Sequence, residues 1–367
     1  MLLRHFIKSL TDWLFRRRSS ALIVMRTGLV ITLVLVTGWG VDLSLPVGDR
    51  QVTIGFDSSG GTPDVLGLAG VIIGFLLLMA GLLWESQRLK SEKELNERSK
   101  VVVVELRGLR NTQGNALVEA VPSSVPGRRD ALLINLCQGI KDGEIVDPEA
   151  ALGELISLPS SIRQRTNGFD RRDLTIVYGG LAPVPMTFLA GVLIDDESAV
   201  QIIDWDRQGG AWRKLDGIDD GERFRRTGMG SLPRNSPEVC LVVSVSYQVR
   251  AEDVRAKTNN IPIVTLELKN GSPDAHWSEE KQKALGSQFL ETVIGLSNRG
   301  VNRIHLFLAA QSSVVFRFGR LYDKRNLPQI VVYQYQRGTT PPHPWGVVMP
   351  VCGVDQPAIT NGDFQQH

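Results

Sequence analysis

Two long apolar segments near the N-terminus constrain this chain more than any other feature. Residues 22–41 are almost wholly apolar, broken by Arg26 and a few Thr and Gly, and residues 65–84 contain no charged side chain. A helix crosses about 30 Å of hydrocarbon with about 20 residues, so each segment has the length of a membrane span. Arg26 lies one turn inside the first segment and can reach back to the headgroups. The sequence therefore predicts a two-helix membrane hairpin over residues 21–84.

A secretory signal peptide is the alternative interpretation of the first segment. Three features disfavour it: the basic flank is long, Trp39 and Gly40 stand where a small-x-small cleavage site would be, and a second span follows closely.

The distribution of charge predicts how the hairpin lies in the membrane. Residues 1–26 hold six basic side chains and one acidic, whereas the 42–64 loop holds four Asp and one Arg. Basic residues also follow the second span, at 88, 90 and 93. The positive-inside rule then predicts a multi-pass membrane protein with both termini in the cytoplasm. Residues 101–367 hold 29 basic and 30 acidic side chains, so no duplex nucleic acid partner is expected.

Small residues recur along the spans and permit close contact between helices. They fit packing within the hairpin and packing between copies equally well, and they are Gly67, Gly70, Gly74, Ala80 and Gly81. The predicted organisation is a basic cytoplasmic arm (1–20), the hairpin (21–84), a helical stalk (85–100), an α/β domain (101–353) and a C-terminal tail (354–367).

Apolar runs that alternate with helical patterns predict an α/β domain with largely parallel sheets. The candidate strands are 101–106, 174–178, 200–204, 239–249, 261–268, 303–308 and 329–335. The candidate helices are 128–141, 148–158, 186–193, 278–299 and 311–321. Cys137, Cys240 and Cys352 are far apart in a predicted cytoplasmic compartment and are interpreted as free thiols.

Two candidate strands end in small-residue turns that lead into helices. Strand 174–178 is followed by Gly179-Gly180, and strand 303–308 by Ala309-Ala310 and then Gln311. In open α/β sheets, ligands bind at the carboxyl ends of such strands, where backbone N–H groups and helix N-termini face the crevice.

Four sequence blocks carry a resemblance to a known family. They are YGGLAP at 178–183, SVSYQV at 244–249, IHLFLAA at 304–310 with Gly319 downstream, and IVVYQYQ at 330–336. Together they resemble the SAVED domain. With two spans ahead of it, the chain is similar to the transmembrane-SAVED effectors of bacterial CBASS anti-phage systems.

The resemblance implies an α-helical membrane hairpin plus an α/β domain built as two fused CARF-like, Rossmann-type halves. It also implies that this domain binds a cyclic oligonucleotide made by a CD-NTase-type nucleotidyltransferase. Ligand binding would drive homo-oligomerisation, and the clustered helices would then act on membrane lipid, disrupt the inner membrane and cause abortive infection. No enzyme activity, metal or cofactor is implied beyond the activating ligand.

The resemblance places candidate ligand-binding residues on the loops after the strands. Aromatic rings would stack on bases, while glycines, hydroxyls and helix N-termini would approach phosphates. The candidates are Tyr178, Gly179, Gly180, Pro183, Ser244, Ser246, Tyr247, Trp277, Gln311, Ser312 and Ser313. Structural interpretations stay open for three features: a tight turn for the Gly pair, a core strand position for Tyr178 and a helix staple for Trp277. His305 is interpreted as a satisfied core or interface histidine.

Motifs for catalysis were absent from the sequence. There is no GxxxxGK[ST], GxSxG or HExxH, and the acidic runs Asp195-Asp196-Glu197 and Asp219-Asp220 are interpreted as solvated turns. Two alternatives remain open: a membrane-anchored hydrolase, and a ligand-independent membrane scaffold that binds partners through the proline-rich run at 341–345.

Overall fold

The structure, a computed structural model, describes most of the chain. The described residues are 20–37, 41–47, 50–56, 65–108, 116–137, 140–141, 144–145, 147–194, 199–233, 236–258 and 261–361. Residues 1–19 of the basic arm, the acidic run at 195–197 and the end of the tail at 362–367 lie outside them. The chain divides into two compact units, Met1–Asn96 and Glu97–His367.

Two helices and a β-hairpin form the first unit. Helix α1 spans Ser20–Thr37 and helix α2 spans Val65–Arg98. Strands β1 (Val41–Val47) and β2 (Arg50–Phe56) pair antiparallel between the helices. At 1.5 Å per residue, α2 extends over about 50 Å. It continues from the apolar segment through the charged residues predicted as a stalk.

Glycines bring the backbones of α1 and α2 into direct contact. A Cβ atom added to Gly81 would lie 2.6 Å from the Met25 nitrogen, and one added to Gly74 would lie 2.6 Å from Thr32 Oγ1. A Cβ on Gly28 would overlap the backbone of Leu78. Because later residues of α1 meet earlier residues of α2, the helices are antiparallel. These glycines pack within one chain, which is one of the two arrangements that the sequence allowed.

The outer surface of α2 is apolar over its first half. Among the described helices, one (Gly67–Arg98) is long and apolar enough to cross a membrane, and Ser20–Leu33 is a shorter apolar helix. Large apolar side chains that stand exposed on α2 are Leu68, Ile72, Ile73, Phe75, Leu76, Leu83 and Trp84. Such a surface favours contact with lipid. The second apolar segment is therefore a helix long and apolar enough to span a membrane, whereas the two crossings and the orientation of the termini stay predictions.

Strands and helices alternate through the second unit, which is the α/β domain. Its helices are α3 (Leu117–Ala120), α4 (Pro148–Ile156), α5 (Leu158–Thr166), α6 (Val184–Leu193), α7 (Ala251–Thr258), α8 (Glu279–Ser297) and α9 (Ser312–Arg320). Its first strands are β3 (Lys100–Arg107), β4 (Arg128–Asn135), β5 (Ile140–Lys141), β6 (Glu144–Ile145), β7 (Leu174–Leu181), β8 (Ala199–Asp206) and β9 (Ala211–Lys214). The later strands are β10 (Arg225–Thr227), β11 (Glu238–Ser244), β12 (Ile263–Glu267), β13 (Arg303–Ala309), β14 (Gln329–Tyr333), β15 (Gly346–Val348) and β16 (Ala358–Thr360).

Two sheets with the same internal order organise this unit. One sheet has the order β4-β3-β7-β8-β9 and the other β10-β12-β11-β13-β14-β15-β16. Each sheet contains four parallel strands. If these are numbered 1 to 4 in chain order, they lie side by side in the order 2-1-3-4 in both sheets. This is the start of a doubly wound Rossmann-type order. The unit therefore has two Rossmann-like halves, the first half at residues 100–214 and the second half at residues 225–360.

The halves meet where α6 crosses α9, the helices that follow the third parallel strand of each half. Gly191 is the eighth residue of α6 and Gly319 the eighth of α9. A Cβ on Gly191 would lie 2.9 Å from the Arg320 nitrogen, and one on Gly319 would overlap the Phe188 carbonyl. The two helices thus play equivalent roles in a pseudo-twofold arrangement, and one hydrophobic core runs through both halves.

The structure corrects two predicted elements. Residues 128–141, predicted as a helix, begin with strand β4, which pairs parallel to β3. Leu132 and Ile134 of β4 are buried while Leu133 between them is exposed, which is the period of a strand on the edge of a sheet. The predicted strand 239–249 ends at Ser244, because the chain turns there into the loop that precedes α7. The largely parallel α/β organisation is confirmed.

Candidate ligand cavity between the two halves

A cavity opens where the carboxyl ends of the parallel strands from both halves meet. Its volume is about 840 Å³. The first half contributes residues at the ends of β7 and β8, including Leu181 and Asp204, and the second half contributes residues at or after the ends of β11, β13 and β14, including Ser246 and Ala309. Open α/β sheets bind their ligands at this edge. The cavity is therefore the candidate site.

Each half caps a helix of the other half at this cavity. Asp204 Oδ2 accepts a hydrogen bond from the Ser313 N–H in the first turn of α9 at 2.9 Å. Gln334 Oε1 accepts one from the Val184 N–H at the start of α6 at 3.1 Å. Both side chains come from the fourth parallel strand of their half or its end. The cap on α9 is a carboxylate, which balances the positive end of the helix dipole, whereas the cap on α6 is a neutral amide.

Several buried polar atoms in the cavity wall have no hydrogen-bond partner of normal geometry among the described residues. They include Oε1 of Gln311 and Nδ1 of His343, whereas the Ser312 hydroxyl lies beside that of Tyr178 and the His276 ring beside Pro273 and Asp204. The Gln311 side chain cannot simply turn away, because its amide nitrogen donates to the carbonyls of Ser272 at 2.9 Å and Pro273 at 2.7 Å. An unpaired buried polar atom is costly. A polar ligand would supply the missing partners.

The two buried histidines of the wall are held neutral. Burial lowers the pKa of His276, although its Nε2 lies 3.5 Å from Asp204 Oδ2 and that carboxylate opposes the shift. Burial also lowers the pKa of His343 to about 4. A neutral imidazole has one N–H donor and one acceptor nitrogen. Each ring can therefore both donate to and accept from a ligand.

The rim of the cavity combines basic and aromatic side chains. Arg207, Arg250 and Arg337 line it and are exposed, and Arg250 Nε lies 3.1 Å from Asp253 Oδ2. Tyr247 and Tyr335 are 62% and 50% exposed, respectively. Guanidinium groups suit phosphates, and exposed aromatic faces suit the stacking of bases.

Five of the residues predicted from the sequence line this cavity. They are Ser246, Tyr247, Trp277, Gln311 and Ser312. The Trp277 ring is already in contact with two neighbours, since the His276 ring centroid lies 4.2 Å away and the Arg213 guanidinium 4.7 Å from the Trp277 centroid.

The other six predicted residues lie behind the wall. Tyr178 is fully buried and stacks on Phe316 at 3.5 Å between centroids. A Cβ on Gly180 would lie 2.6 Å from the Tyr178 hydroxyl, and one on Gly179 would meet Leu117 at 2.9 Å. The small size of both glycines therefore serves packing.

Helix and loop geometry accounts for the remaining three. Pro183 is the N-cap residue of α6. The Ser244 hydroxyl accepts from the Val249 N–H at 3.1 Å and so closes the loop after β11. The Ser313 hydroxyl is buried and accepts from Gln282 Nε2 at 2.8 Å.

Many residues of the cavity wall were not among those selected from the sequence. The missed residues include Asp204, Trp205, Arg207, Arg250, His276, Gln334, Tyr335, Arg337 and His343. Five of these residues end or follow the fourth strands: Trp205, Arg207, Gln334, Tyr335 and Arg337. The strand-end rule that selected Gly179 and Gln311 would have found them if it had been applied to those strands.

One structural interpretation made from the sequence is confirmed. His305 is a satisfied core histidine, since it is buried with Nδ1 2.9 Å from the Tyr333 hydroxyl.

The comparison with known families agrees with this architecture. Residues 158–349, more than half of the chain, match the family described as "SMODS-associated and fused to various effectors sensor domain", abbreviated SAVED. The chain belongs to the SAVED family. Residues 1–152 match the "SAVED-fused 2TM effector domain". The SAVED domain is thus joined to a helical N-terminal region of the two-span effector type.

Solved SAVED proteins have a similar but distant structure. The Cap4 SAVED/CARF-domain containing receptor of Acinetobacter baumannii with the cyclic trinucleotide 2'3'3'-cAAA is 13% identical, with a TM-score of 0.47. The alignment covers 78% of this chain and 58% of that one. The Moraxella osloensis Cap4 receptor is 14% identical with a TM-score of 0.44, and 78% and 60% of the two chains are covered. The chain thus spans about three-fifths of the length of these receptors. No curated protein sequence matches the chain.

Proposed function

We propose that this chain is a membrane-anchored receptor of an anti-phage CBASS system that binds a cyclic oligonucleotide and then disrupts the inner membrane. The cavity between the two halves of the SAVED domain carries the proposal. It has the volume for a small oligonucleotide, with basic and aromatic groups at its rim and unpaired polar atoms in its wall.

The distribution of groups in the cavity suits a cyclic oligonucleotide. Such a ligand presents phosphates, flat bases and ribose hydroxyls within one compact ring. Arg207, Arg250 and Arg337 would contact phosphates, while Tyr247 and Tyr335 would stack on bases. Because the cytoplasmic part is almost neutral overall, these local groups provide the attraction for an anionic ligand.

The membrane part of the proposal follows from the family match and from the helical hairpin. Two spans with cytoplasmic termini would hold the SAVED domain on the side where a nucleotidyltransferase makes its product. Ligand-driven association of SAVED domains would gather the hairpins, and the exposed apolar surface of α2 would then rearrange in lipid. In this mechanism the ligand is a signal and no bond in it is broken.

Calorimetry on the full chain in detergent tests the binding step. The panel contains cyclic di- and trinucleotides of the four bases, including 2'3'3'-cAAA and 3'3'3'-cAAA, with linear trinucleotides as controls. We expect at least one cyclic compound to bind at micromolar concentration or below. The double variant R207E/R337E should weaken that binding at least tenfold, whereas R172E, which changes an exposed arginine outside the cavity, should not. Absence of binding by every cyclic compound would overturn the proposal.

Dye release from liposomes that contain the full chain tests the membrane step. Addition of the bound compound should release dye, and the compound should be recovered intact afterwards. Its degradation would favour the membrane-anchored hydrolase, and equal release without any compound would favour the ligand-independent scaffold.

A further inference from the structure

Hydrogen-bond acceptors dominate the end of the cavity at α9. The Asp204 carboxylate accepts the Trp205 N–H at 2.8 Å and the Ser313 N–H at 2.9 Å, and His276 Nε2 lies 3.5 Å from its Oδ2, which leaves at least one of its four lone-pair sites. Gln311 Oε1 is buried and unpaired, and its orientation is fixed because the amide nitrogen donates to two carbonyls. Gln311 is the N-cap of α9 and Ser313 its second residue. Both acceptors therefore lie at the first turn of the same helix.

A phosphate does not suit this end of the cavity. Phosphate oxygens are acceptors and carry negative charge, so they would meet the Asp204 carboxylate and the Gln311 carbonyl oxygen without a hydrogen bond. The positive end of the α9 dipole is already balanced by Asp204. A ligand group at this end must donate hydrogen bonds instead.

The exocyclic amino group of a nucleobase is the donor that fits best. It presents two N–H bonds in the plane of the ring, whereas a ribose hydroxyl presents one. His276 and Ser312 stand in the same wall, and each can donate to or accept from a ring nitrogen beside the amino group. His276 is 3% exposed, so it is reached from the cavity alone.

We propose that Asp204, His276, Gln311 and Ser312 form a base-reading subsite that selects bases with an exocyclic amino group over their oxo counterparts. The inference rests on the proposed function, because it concerns the ligand of the same cavity. The phosphates then lie toward the rim arginines Arg207, Arg250 and Arg337 and toward the α6 end, whose cap Gln334 is neutral.

Exchange of one functional group on the ligand tests this subsite. The compound from the panel that binds best is compared, on the full chain in detergent, with analogues in which one amino group is replaced by an oxo group: inosine for adenosine, xanthosine for guanosine, or uridine for cytidine. For one nucleotide of the cyclic compound, the form with the amino group should bind about tenfold to a hundredfold more tightly than the form without it. Loss of the amino group leaves buried acceptors unpaired. Removal of a 2'-hydroxyl from the same nucleotide should cost less than threefold.

Two matched variants locate the effect. In D204N an NH2 group, which donates hydrogen bonds, replaces one carboxylate oxygen, which accepts them. The preference of the chain for the amino compound should therefore fall below threefold. In D147N a carboxylate outside the cavity, which caps α4 by accepting from the Ala150 N–H at 3.0 Å, changes in the same way and should leave the preference intact. Melting temperatures are measured for both, since D204N also removes a capping group from α9.

The failure of this inference is distinguishable from failure of the proposed function. If a cyclic compound binds but every amino-to-oxo replacement is tolerated within threefold, or if the tightest ligands contain uracil alone, the subsite is refuted while the receptor function stands. The same base series on the unaltered chain gives this answer even if D204N does not fold.

Discussion

Exposure separates the aromatic side chains that hold the fold from those that are free to meet a ligand. Tyr178 is fully buried against Phe316, and burial raises the pKa of its hydroxyl above the usual range. Tyr247 stands at the cavity rim and is 62% exposed. The same residue type thus packs inside strand β7 of the first half and stands exposed in the loop after β11 of the second half.

Substitution of Tyr247 tests its stacking role. Y247A should weaken binding of the cyclic compound by about 1–3 kcal/mol, because one base loses its aromatic partner. Y247F keeps the ring and should bind within twofold of the unaltered chain. Calorimetry gives both values. If Y247A also binds within twofold, Tyr247 takes no part in recognition.

The sequence was informative about part of the site for a physical reason. Gln311, Ser312 and Tyr247 follow strands at short range, so a local pattern predicts them. His276 lies in the long connection between β12 and α8, and it reaches the wall because the chain folds back toward Asp204 of the other half. No local pattern contains that contact. The same limit explains why Gly179 and Gly180 were placed at a phosphate, when their neighbours are Leu117 and Tyr178.

Elements of this fold depend on close approach of helices. At the α6–α9 crossing, Gly191 and Gly319 let the backbones of the two halves touch. Helix propensity alone would favour alanine over glycine at these positions by about 1 kcal/mol. The contact outweighs that preference, so glycine is required by packing.

A pair of Gly-to-Ala variants separates packing from propensity. G319A should destabilise the SAVED domain by about 1–3 kcal/mol, because the new methyl group overlaps the Phe188 carbonyl. G153A, in the middle of α4, meets no atom within 4 Å and should stabilise it by about 0.5–1 kcal/mol. Thermal unfolding of the full chain in detergent measures both. Equal shifts for the two variants would contradict the role of the crossing.

The membrane hairpin offers an equivalent comparison. G28L should abolish dye release by the reconstituted chain, because a leucine cannot fit against the Leu78 backbone and would separate α1 from α2. G67L adds the same side chain to α2 at an open position and should leave the release within twofold. Release by G28L at the level of the unaltered chain would show that the close contact is dispensable.

Prediction of elements from the sequence succeeded where the pattern was long and failed where it was ambiguous. The apolar core of β13 and the long amphipathic helix α8 have clear periods, and both lie where expected. Residues 128–135 contain a short apolar run flanked by charges, which fits one face of a helix as well as a strand. Residues 128–135 form a strand because they pair with β3, and the local sequence does not reveal that pairing.

The whole molecule should lose stability in mild acid through its buried histidines. The pKa values of His276, His305 and His343 are lowered by burial, that of His343 to about 4. An unfolded histidine has a pKa of about 6.5. Below that pH the unfolded chain binds protons that the folded chain does not, so the free energy of unfolding falls as the pH drops from about 6.5 to 4.

The variant H343Q measures this contribution. His343 alone accounts for roughly 3 kcal/mol between pH 7 and pH 4, from a shift of about 2.5 pH units. Melting temperatures of H343Q should therefore decline less steeply over this range than those of the unaltered chain. Between about pH 4 and pH 2 the carboxyl of Asp219, whose pKa is lowered to about 2 by its hydrogen bond to Arg223, adds a further loss of stability to both curves, because it binds a proton in the unfolded chain before it does so in the folded chain. Parallel curves for the two chains above pH 4 would exclude His343.

The equivalent positions of Gly191 and Gly319 have a consequence for the kinds of ligand that the cavity between the two halves could distinguish. Two identical subunits that met at such a crossing would present the same groups on both sides of the cavity, and a ligand would have to be symmetric to satisfy both. One continuous chain removes that constraint, because each side is encoded separately. Here one helix cap is a carboxylate and the other an amide. Under the proposed function, a cyclic oligonucleotide with unlike bases or unlike linkages would therefore be held in a single orientation and distinguished from the isomer with the reverse order.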